Sequence, residues 1–391
     1  MSPITPPPVK QNCLPTTPQE KQQGINPNLT HGIAFVTTDS ETQRNLKYAR
    51  SRATRILGAQ PVQVDGETRG DNDVVVKVSW PGESRQNEAR IIDLAREAVL
   101  ICHHLIDHHD LDCDTCQIGD DLGISKTSSH MSHVHRRLLF EKSNPISSLS
   151  GEDFMTAWIQ CYRCHFRLRL HGIEHGHVTK SNLMVNSVTG TGVLNDYDIP
   201  VFKKKNQNGS IIGTEYIDAI PFMALDLLTK DFFDGKIRRI YRHDNESFIW
   251  VLPWVFLRGK HWQAGELNRW ATSDFVGCQA QKFRFLYQSD EYVGYPEANV
   301  RPYEAASQLL AWLFKKLCRE KDAKRVCERA RPSKNGDAAL MGLWNDPSEK
   351  AACMYFRQFE AELKAGWDYG FEPLPEGQTV PLKDEEPIKL D

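Results

Sequence analysis

The spacing of apolar positions changes along this chain, and the change divides it in two. In the first third, short runs are rich in β-branched residues. Gly32-Ile-Ala-Phe-Val36 and, more clearly, Asp73-Val-Val-Val-Lys-Val-Ser-Trp80 predict strands, and His135 to Phe140 predicts another. Between them Glu88, Ile91, Ile92, Ala95 and Val99 recur at helical spacing, which predicts a helix from about Arg85 to Leu105. From Gly151 onward the period becomes that of helices, predicted from Glu152 to Leu170, Asp244 to Leu257 and Tyr303 to about Ala330. Leu183-Met-Val185 and Gly192-Val-Leu194 flank a stretch of Asn, Ser, Thr and Gly and predict a hairpin. A strand-rich part followed by a helix-rich part gives an α+β fold class with two lobes: a small strand-rich one over 31–142 and a larger helical one over 143–370.

Composition narrows the class. Residues 1–30, rich in Pro, Gln, Asn and Thr, and residues 371–391, rich in Pro and charge, read as disordered tails. The chain has 391 residues and a formal net charge of −3, so charge gives no case for a nucleic-acid partner. The first eleven residues are Pro-rich without an apolar core, unlike a signal peptide. The longest apolar run, Phe248 to Leu257, is too short for a membrane span and contains Pro253. The expectation is an intracellular protein, cytoplasmic or nuclear, with no membrane contact. Ten cysteines in a chain of this length are expected as reduced thiols. From Tyr303 to Ala330, Leu309, Leu310, Leu313, Phe314, Leu317 and Cys318 oppose Lys315, Lys316, Arg319, Lys324 and Arg325, an amphipathic pattern expected to pack on the second lobe rather than lie on a membrane.

Three groups of residues carry candidate chemistry. Lys77 stands inside an apolar strand, where an ammonium is costly unless paired, and Glu88 follows eleven residues later at the start of a helix. The alternative is an edge-strand lysine facing solvent. His175-Gly-His-Val-Thr-Lys-Ser-Asn182 precedes the hairpin, and Asn195-Asp-Tyr-Asp198 follows it. Such a hairpin carries Asn182 and Asp196 to its two ends, where an amide oxygen and a carboxylate suit Mg²⁺; the alternative is an ordinary polar loop. His103, His104, His108, His109, Cys113 and Cys116 have the donors for zinc, at a spacing that fits no common zinc module, and a polar helix end and loop is the alternative. Cys161 and Cys164 lie within a helical stretch and read as ordinary helix residues.

The spacing of His175, Asn182 and Asp196 is that of the H-R-D-x-x-x-x-N and D-F-G elements of protein kinases, as is a strand Lys followed by a helix Glu. In more detail the chain resembles the fungal-type protein kinase family from roughly Ser51 to Leu286. Ser51-Arg-Ala-Thr54 resembles its G-R-x-T. Val75-Val-Lys-Val-Ser-Trp80 with Arg85 and Glu88 resembles its V-x-K-x-x-W…R-x-x-E. Gly192-Val-Leu-Asn-Asp-Tyr-Asp198 resembles its G-V-L-I-D-W-D. Pro221-Phe-Met-Ala-Leu-Asp-Leu-Leu228 resembles the end of its activation segment, and His243-Asp-Asn-Glu-Ser-Phe248 its H-D-x-E-S. The resemblance implies a bilobal protein-kinase fold, ATP and Mg as cofactors, and an ancestral phosphorylation of Ser or Thr in a protein substrate. Residue by residue it implies Lys77 on phosphate, Glu88 holding Lys77, Asn182 and Asp196 on Mg²⁺, and His175 and Asp244 as structural braces.

The departures fall on the catalytic loop. Where the family has H-R-D-I-S, this chain has His175-Gly-His-Val-Thr179, so both Arg and Asp are gone. Gly176 removes the usual partner of a phosphate on the activation segment. His177 takes the position of the Asp that accepts the substrate proton; an imidazole accepts protons near neutrality, but its ring is longer and differently aimed. The phosphate-covering loop, expected near Ser51 to Gly58, has one glycine, and extra residues stand at Glu215 to Ile220. Lys203-Lys-Lys205 reads as a solvated run. Three functions follow: a weak protein kinase that binds Mg·ATP, a pseudokinase serving as a binding or scaffold module, and a small-molecule phosphotransferase of the aminoglycoside type, whose H-G-D-x₄-N the loop also resembles.

Overall fold

The computed structural model describes residues 34–37, 55–62, 74–82, 88–98, 104–115, 118, 121–123, 133–197, 219–256, 264–272, 274–287, 300–329, 346–367 and 370. The chain divides into two compact units. One comprises Met1–Leu46, Arg52–Glu83 and Leu105–Lys142; the other comprises Lys47–Ser51, Ser84–His104 and Ser143–Asp391. Both tails, Ser51 to Thr54, Arg85, His103, Cys116, Asp198, Lys203 to Lys205 and residues 215–218 lie outside the described residues.

The first unit is an antiparallel sheet of β1 (Ala34–Thr37), β2 (Arg55–Val62), β3 (Val74–Ser79), β4 (Leu105–Asp114) and β5 (Val134–Glu141), in the order β1-β2-β3-β5-β4. The β-branched run predicted as a strand is β3, and its register sets Lys77 opposite Ile56 on one side and Leu138 on the other. β3 is therefore an interior strand and Lys77 is buried, which removes the edge-strand alternative. Val74 and Leu139 pack together with Val76 and Ile106 beside them. Trp80 stacks on His135 with ring centroids 4.5 Å apart. Arg136 grips Asp110 with two parallel hydrogen bonds of 2.7 Å, the fork geometry that suits a carboxylate.

Three expectations fail here. The helix predicted to reach Leu105 is described as α1 (Glu88–Ala98), and Leu105 opens β4. The polar His/Asp run predicted as a helix end and loop is most of β4, because pairing with β5 outweighs the weak strand preference of those residues. Arg55 to Gly58, expected in a loop, belong to β2.

In the second unit, α1 begins with buried Glu88, a carboxylate favoured at a helix N-terminus. β6 (Ser143–Pro145), β7 (Leu183–Asn186) and β8 (Gly192–Leu194) form a small antiparallel sheet, and β7 and β8 are the predicted hairpin. The main support is α2 (Gly151–Leu170), whose buried face includes Phe154, Trp158, Cys161, Tyr162, His165 and Phe166. Cys161 and Cys164 are buried free thiols on this helix, and burial pushes the Cys161 thiol far up, so it is an inert packing group.

Gly192 explains how the hairpin sits on α2. A Cβ there would lie 2.1 Å from the Ala157 carbonyl oxygen, so only glycine allows the strand to touch the helix backbone. The Gly192 N–H donates to Gln160 Oε1 at 2.7 Å. At its other end α2 stops at Gly172, whose φ of +75° reverses the chain. The Gly172 and Ile173 amides donate back to Arg169 and Leu168 at 3.0 and 2.9 Å.

Next come α3 (Lys230–Phe233), α4 (Tyr241–Phe256), α5 (Ala264–Thr272), α6 (Phe275–Tyr287), α7 (Val300–Arg329) and α8 (Glu349–Gly366). Trp158, Tyr162 and Phe248 interlock with Phe356 and Phe359 of α8, and Trp312 of α7 meets Phe359 edge-on. Leu309, Leu310, Leu313 and Leu317 are buried, so the amphipathic α7 packs inside this unit; Cys318 is exposed. Among the described residues no helix is long and apolar enough to cross a membrane.

Candidate functional site

The site is built where the loop after α2 meets the hairpin. His175 is fully buried and fixes that junction. Its Nε2 lies 3.0 Å from the Asn195 carbonyl oxygen, which only accepts, so Nε2 carries the proton. Nδ1 then accepts the His177 backbone N–H at 3.4 Å. Burial, reinforced by the nearby His165 ring, pushes the His175 pKa down to about 4, which matches this neutral role. The Asn195 N–H donates to the Asn182 carbonyl at 2.9 Å, closing the hairpin above the loop. Gly176 between the two histidines has φ +65°, a conformation glycine adopts without strain.

Three of the sequence candidates meet at one point. His177 Nδ1 lies 3.2 Å from Asp196 Oδ2 and 3.1 Å from Asn182 Nδ2. Asn182 Nδ2 also donates to the His177 carbonyl oxygen at 2.9 Å. The Asn182 amide nitrogen donates only, so the 3.1 Å contact is a hydrogen bond when Nδ1 is bare; a carboxylate accepts only, so the 3.2 Å contact is one when Nδ1 carries the proton. Nε2 is then left with a lone pair; it is buried and has no hydrogen-bond partner among the described residues. Asp196 has φ +67°, alone in the left-handed region among the described non-glycine residues. Strain of this kind, of order 1–3 kcal/mol, concentrates at functional sites. The donor types fit Mg²⁺, which takes hard oxygens such as the Asp196 carboxylate and the Asn182 amide oxygen.

Asp244 braces the loop from below. Its Oδ1 accepts from Arg239 Nε at 2.6 Å, and its Oδ2 lies 3.0 Å from His165 Nε2. Burial opposes the ionised carboxyl, but Arg239 and His165 outweigh it and hold it well below the usual carboxylate range. The His165 ring sits edge-on to His175, 6.2 Å away, so Asp244 reaches the loop through His165. Two sequence blocks also prove to be tied together. Glu246 Oε1 accepts the Leu225 N–H at 2.7 Å and the Trp250 Nε1–H at 3.0 Å, and Arg242 pairs with Asp226 at 2.5 Å. Lys282, fully buried, donates to the Met223 carbonyl at 2.6 Å with its ammonium 4.5 Å from the Trp250 ring centroid.

Lys77 lies in the first unit and Glu88 in the second, each buried. Sequence reasoning missed His165, Arg239 and Lys282. Only Lys282 left a trace, as a cation that shares its helix face with Cys278, Phe285 and Leu286. The zinc candidate gains nothing. Adjacent residues of a strand face opposite ways, so His108 and His109 of β4 cannot share one ion, and no group of three metal-ligating side chains occurs among the described residues.

The chain thus combines a strand-rich unit with a larger helical unit, an α+β composition, and its loop–hairpin junction brings together His175, Asn182 and Asp196. The family described as "Fungal protein kinase" matches residues 17–256, well over half of the chain. The chain belongs to the fungal protein kinase family. Among solved structures it is similar to a MAP kinase from Leishmania major, LmaMPK10, at 11% identity and a TM-score of 0.34, covering 80% of this chain and 91% of that one. No curated protein matches the sequence.

Proposed function

We propose that this chain binds Mg·ATP and transfers phosphate to Ser or Thr of a protein substrate only weakly. The observation that carries the reading is the convergence of Asn182 and Asp196 on one point, while the position of the proton-accepting carboxylate is held by His177. Asn182 and Asp196 are the residues that would hold Mg²⁺, which when bound neutralises phosphate charge. Lys77 and Glu88 are the residues the sequence assigns to the phosphates. His175 sets the loop, and Asp244 supports it through His165. Phosphoryl transfer depends mainly on positioning and charge stabilisation, so some turnover survives without the Asp; a misplaced base lowers the rate by about 10²- to 10⁴-fold.

The Nε2 of His177, buried and without a hydrogen-bond partner among the described residues, favours a second reading, a pseudokinase that binds nucleotide and presents its surface to a partner. A proton acceptor has to be reachable by the hydroxyl it serves. A radiolabelled-ATP assay on the parent, His177→Asp and Asp196→Ala separates the two. The kinase reading expects measurable parent turnover, a gain of roughly tenfold or more in His177→Asp and none in Asp196→Ala. Parent and His177→Asp equally inert, with ATP still raising the melting temperature, establishes the pseudokinase. No thermal response to millimolar Mg·ATP rejects both.

A further inference from the structure

We infer that the His177 imidazole is a built-in competitor for the cation position, so that ATP binding by this chain gains little from Mg²⁺. The inference rests on the nucleotide-binding reading above and assigns His177 a role distinct from that of a proton acceptor.

One ring nitrogen lies 3.2 Å from Asp196 Oδ2, an oxygen that a shared cation would take, and 3.1 Å from Asn182 Nδ2, the nitrogen of the amide whose oxygen would be the second ligand. Mg²⁺ holds oxygens at about 2.0–2.1 Å and keeps several waters. With the proton on Nδ1, an N–H occupies the 3.2 Å between ring and carboxylate, so an ion and its waters approaching Oδ2 from this side have to displace the ring. The ring is also anchored from behind. The His177 N–H is held by His175 Nδ1, and its carbonyl by Asn182 Nδ2. The other ring nitrogen makes no hydrogen bond among the described residues, so the Nδ1 side fixes where the ring sits. Asp196 keeps a left-handed backbone to present its carboxylate, and in this chain that carboxylate meets an imidazole. An N–H donor supplies part of what a cation supplies to the carboxylate: directed positive charge at hydrogen-bond distance. The Asp of the family's pattern, by contrast, carries no donor at neutral pH and would leave this position open to the ion.

The test uses the full chain as the parent, His177→Ala, His177→Ser and His177→Ala/Asp196→Ala, each checked for native circular dichroism. In the first arm Mn²⁺ alone is titrated without nucleotide and free Mn²⁺ is read by electron paramagnetic resonance. Both single variants are expected to bind Mn²⁺ about tenfold or more tighter than the parent, with the gain lost in the double variant. In the second arm ATP affinity is measured by calorimetry in excess EDTA and in excess Mg²⁺. The parent is expected to change less than about threefold between the two buffers, and the single variants about tenfold or more. Equal Mn²⁺ affinity in parent and single variants overturns the competition whatever ATP does. ATP binding absent in both buffers overturns the nucleotide-binding reading, and the Mn²⁺ comparison then decides this inference by itself.

Discussion

Replacing Gly192 by alanine tests how the hairpin is held against α2. The new Cβ would start 2.1 Å from the Ala157 carbonyl oxygen, 2.8 Å from its carbon and 2.9 Å from its Cα. Such contacts settle near 3.4 Å or more, so one partner has to retreat by roughly 1 Å. The helix is the fixed side, because Trp158 and Tyr162 next to the contact are locked among Phe248, Phe356 and Phe359. The three-residue β8 must therefore move, lifting its Gly192 N–H away from Gln160 Oε1. Overpacking of this kind costs about 1–3 kcal/mol, and the lost hydrogen bond about 1 kcal/mol more. A total loss of about 2–4 kcal/mol is expected in urea unfolding followed by tryptophan fluorescence. Because β8 leads directly into Asn195 and Asp196, thermal stabilisation by ATP should fall as well. Gly190→Ala is the control: it has open space around the new Cβ but a φ of +68°, so it should lose only about 1 kcal/mol, through the backbone. If Gly192→Ala unfolds within 0.5 kcal/mol of the parent (about the experimental scatter), or costs no more than Gly190→Ala, the close-contact argument is wrong.

Asp244→Ala removes the buried carboxylate that pairs with the partly buried Arg239 and should destabilise the chain by about 3–5 kcal/mol in the same assay, while a loss under about 1 kcal/mol would mean that the brace is dispensable. Glu246→Ala strips the acceptor from the buried Leu225 and Trp250 N–H groups; about 2–5 kcal/mol should be lost, and the Leu225 amide should exchange with deuterium markedly faster than in the parent. His175 has its pKa lowered by burial from 6.5 to about 4, so between those values the unfolded chain takes up a proton that the folded chain refuses. Stability contributed by the neutral ring is complete above pH 6.5 and falls as the pH drops toward 4, by about 3 kcal/mol in all. His243, also held down by burial and by Arg242 and Arg239, adds to the same acid loss. Urea titrations at pH 7 and pH 4.5 should show this slope, reduced in His175→Asn.

The sequence made the hairpin, α2, α4, α7 and β3 legible because each carries a dense apolar pattern at a single period. It also brought His175, His177, Asn182, Asp196 and Asp244 into view, since kinase motifs are local and their spacing survives. What it concealed depended on partners far along the chain. β4 is mostly Asp and His, and only its ladder with β5 makes it a strand. His165 lies on α2 and gains its role only when α4 places Asp244 3.0 Å from its ring. The orientation of His177 was equally invisible, because it depends on which neighbour a ring nitrogen chooses. α8 was the avoidable omission: Ser348 caps it by accepting the Ala351 N–H at 3.2 Å, and Ala352, Tyr355, Phe356, Phe359 and Leu363 follow at helical spacing.

The backbone at Gly176 makes the order of repair matter. Rebuilding an arginine there would place a side-chain-bearing residue at φ +65°, at a cost of about 1–2 kcal/mol, with nothing within 4 Å of its Cβ to offset it. Taken first, that step weakens the loop and restores no proton acceptor. Taken after an aspartate has been placed at 177, it burdens a loop that already holds a carboxylate proton acceptor. On the kinase reading, a route toward a vigorous phosphotransferase therefore meets an uphill stretch at 176 and a direct reward only at 177.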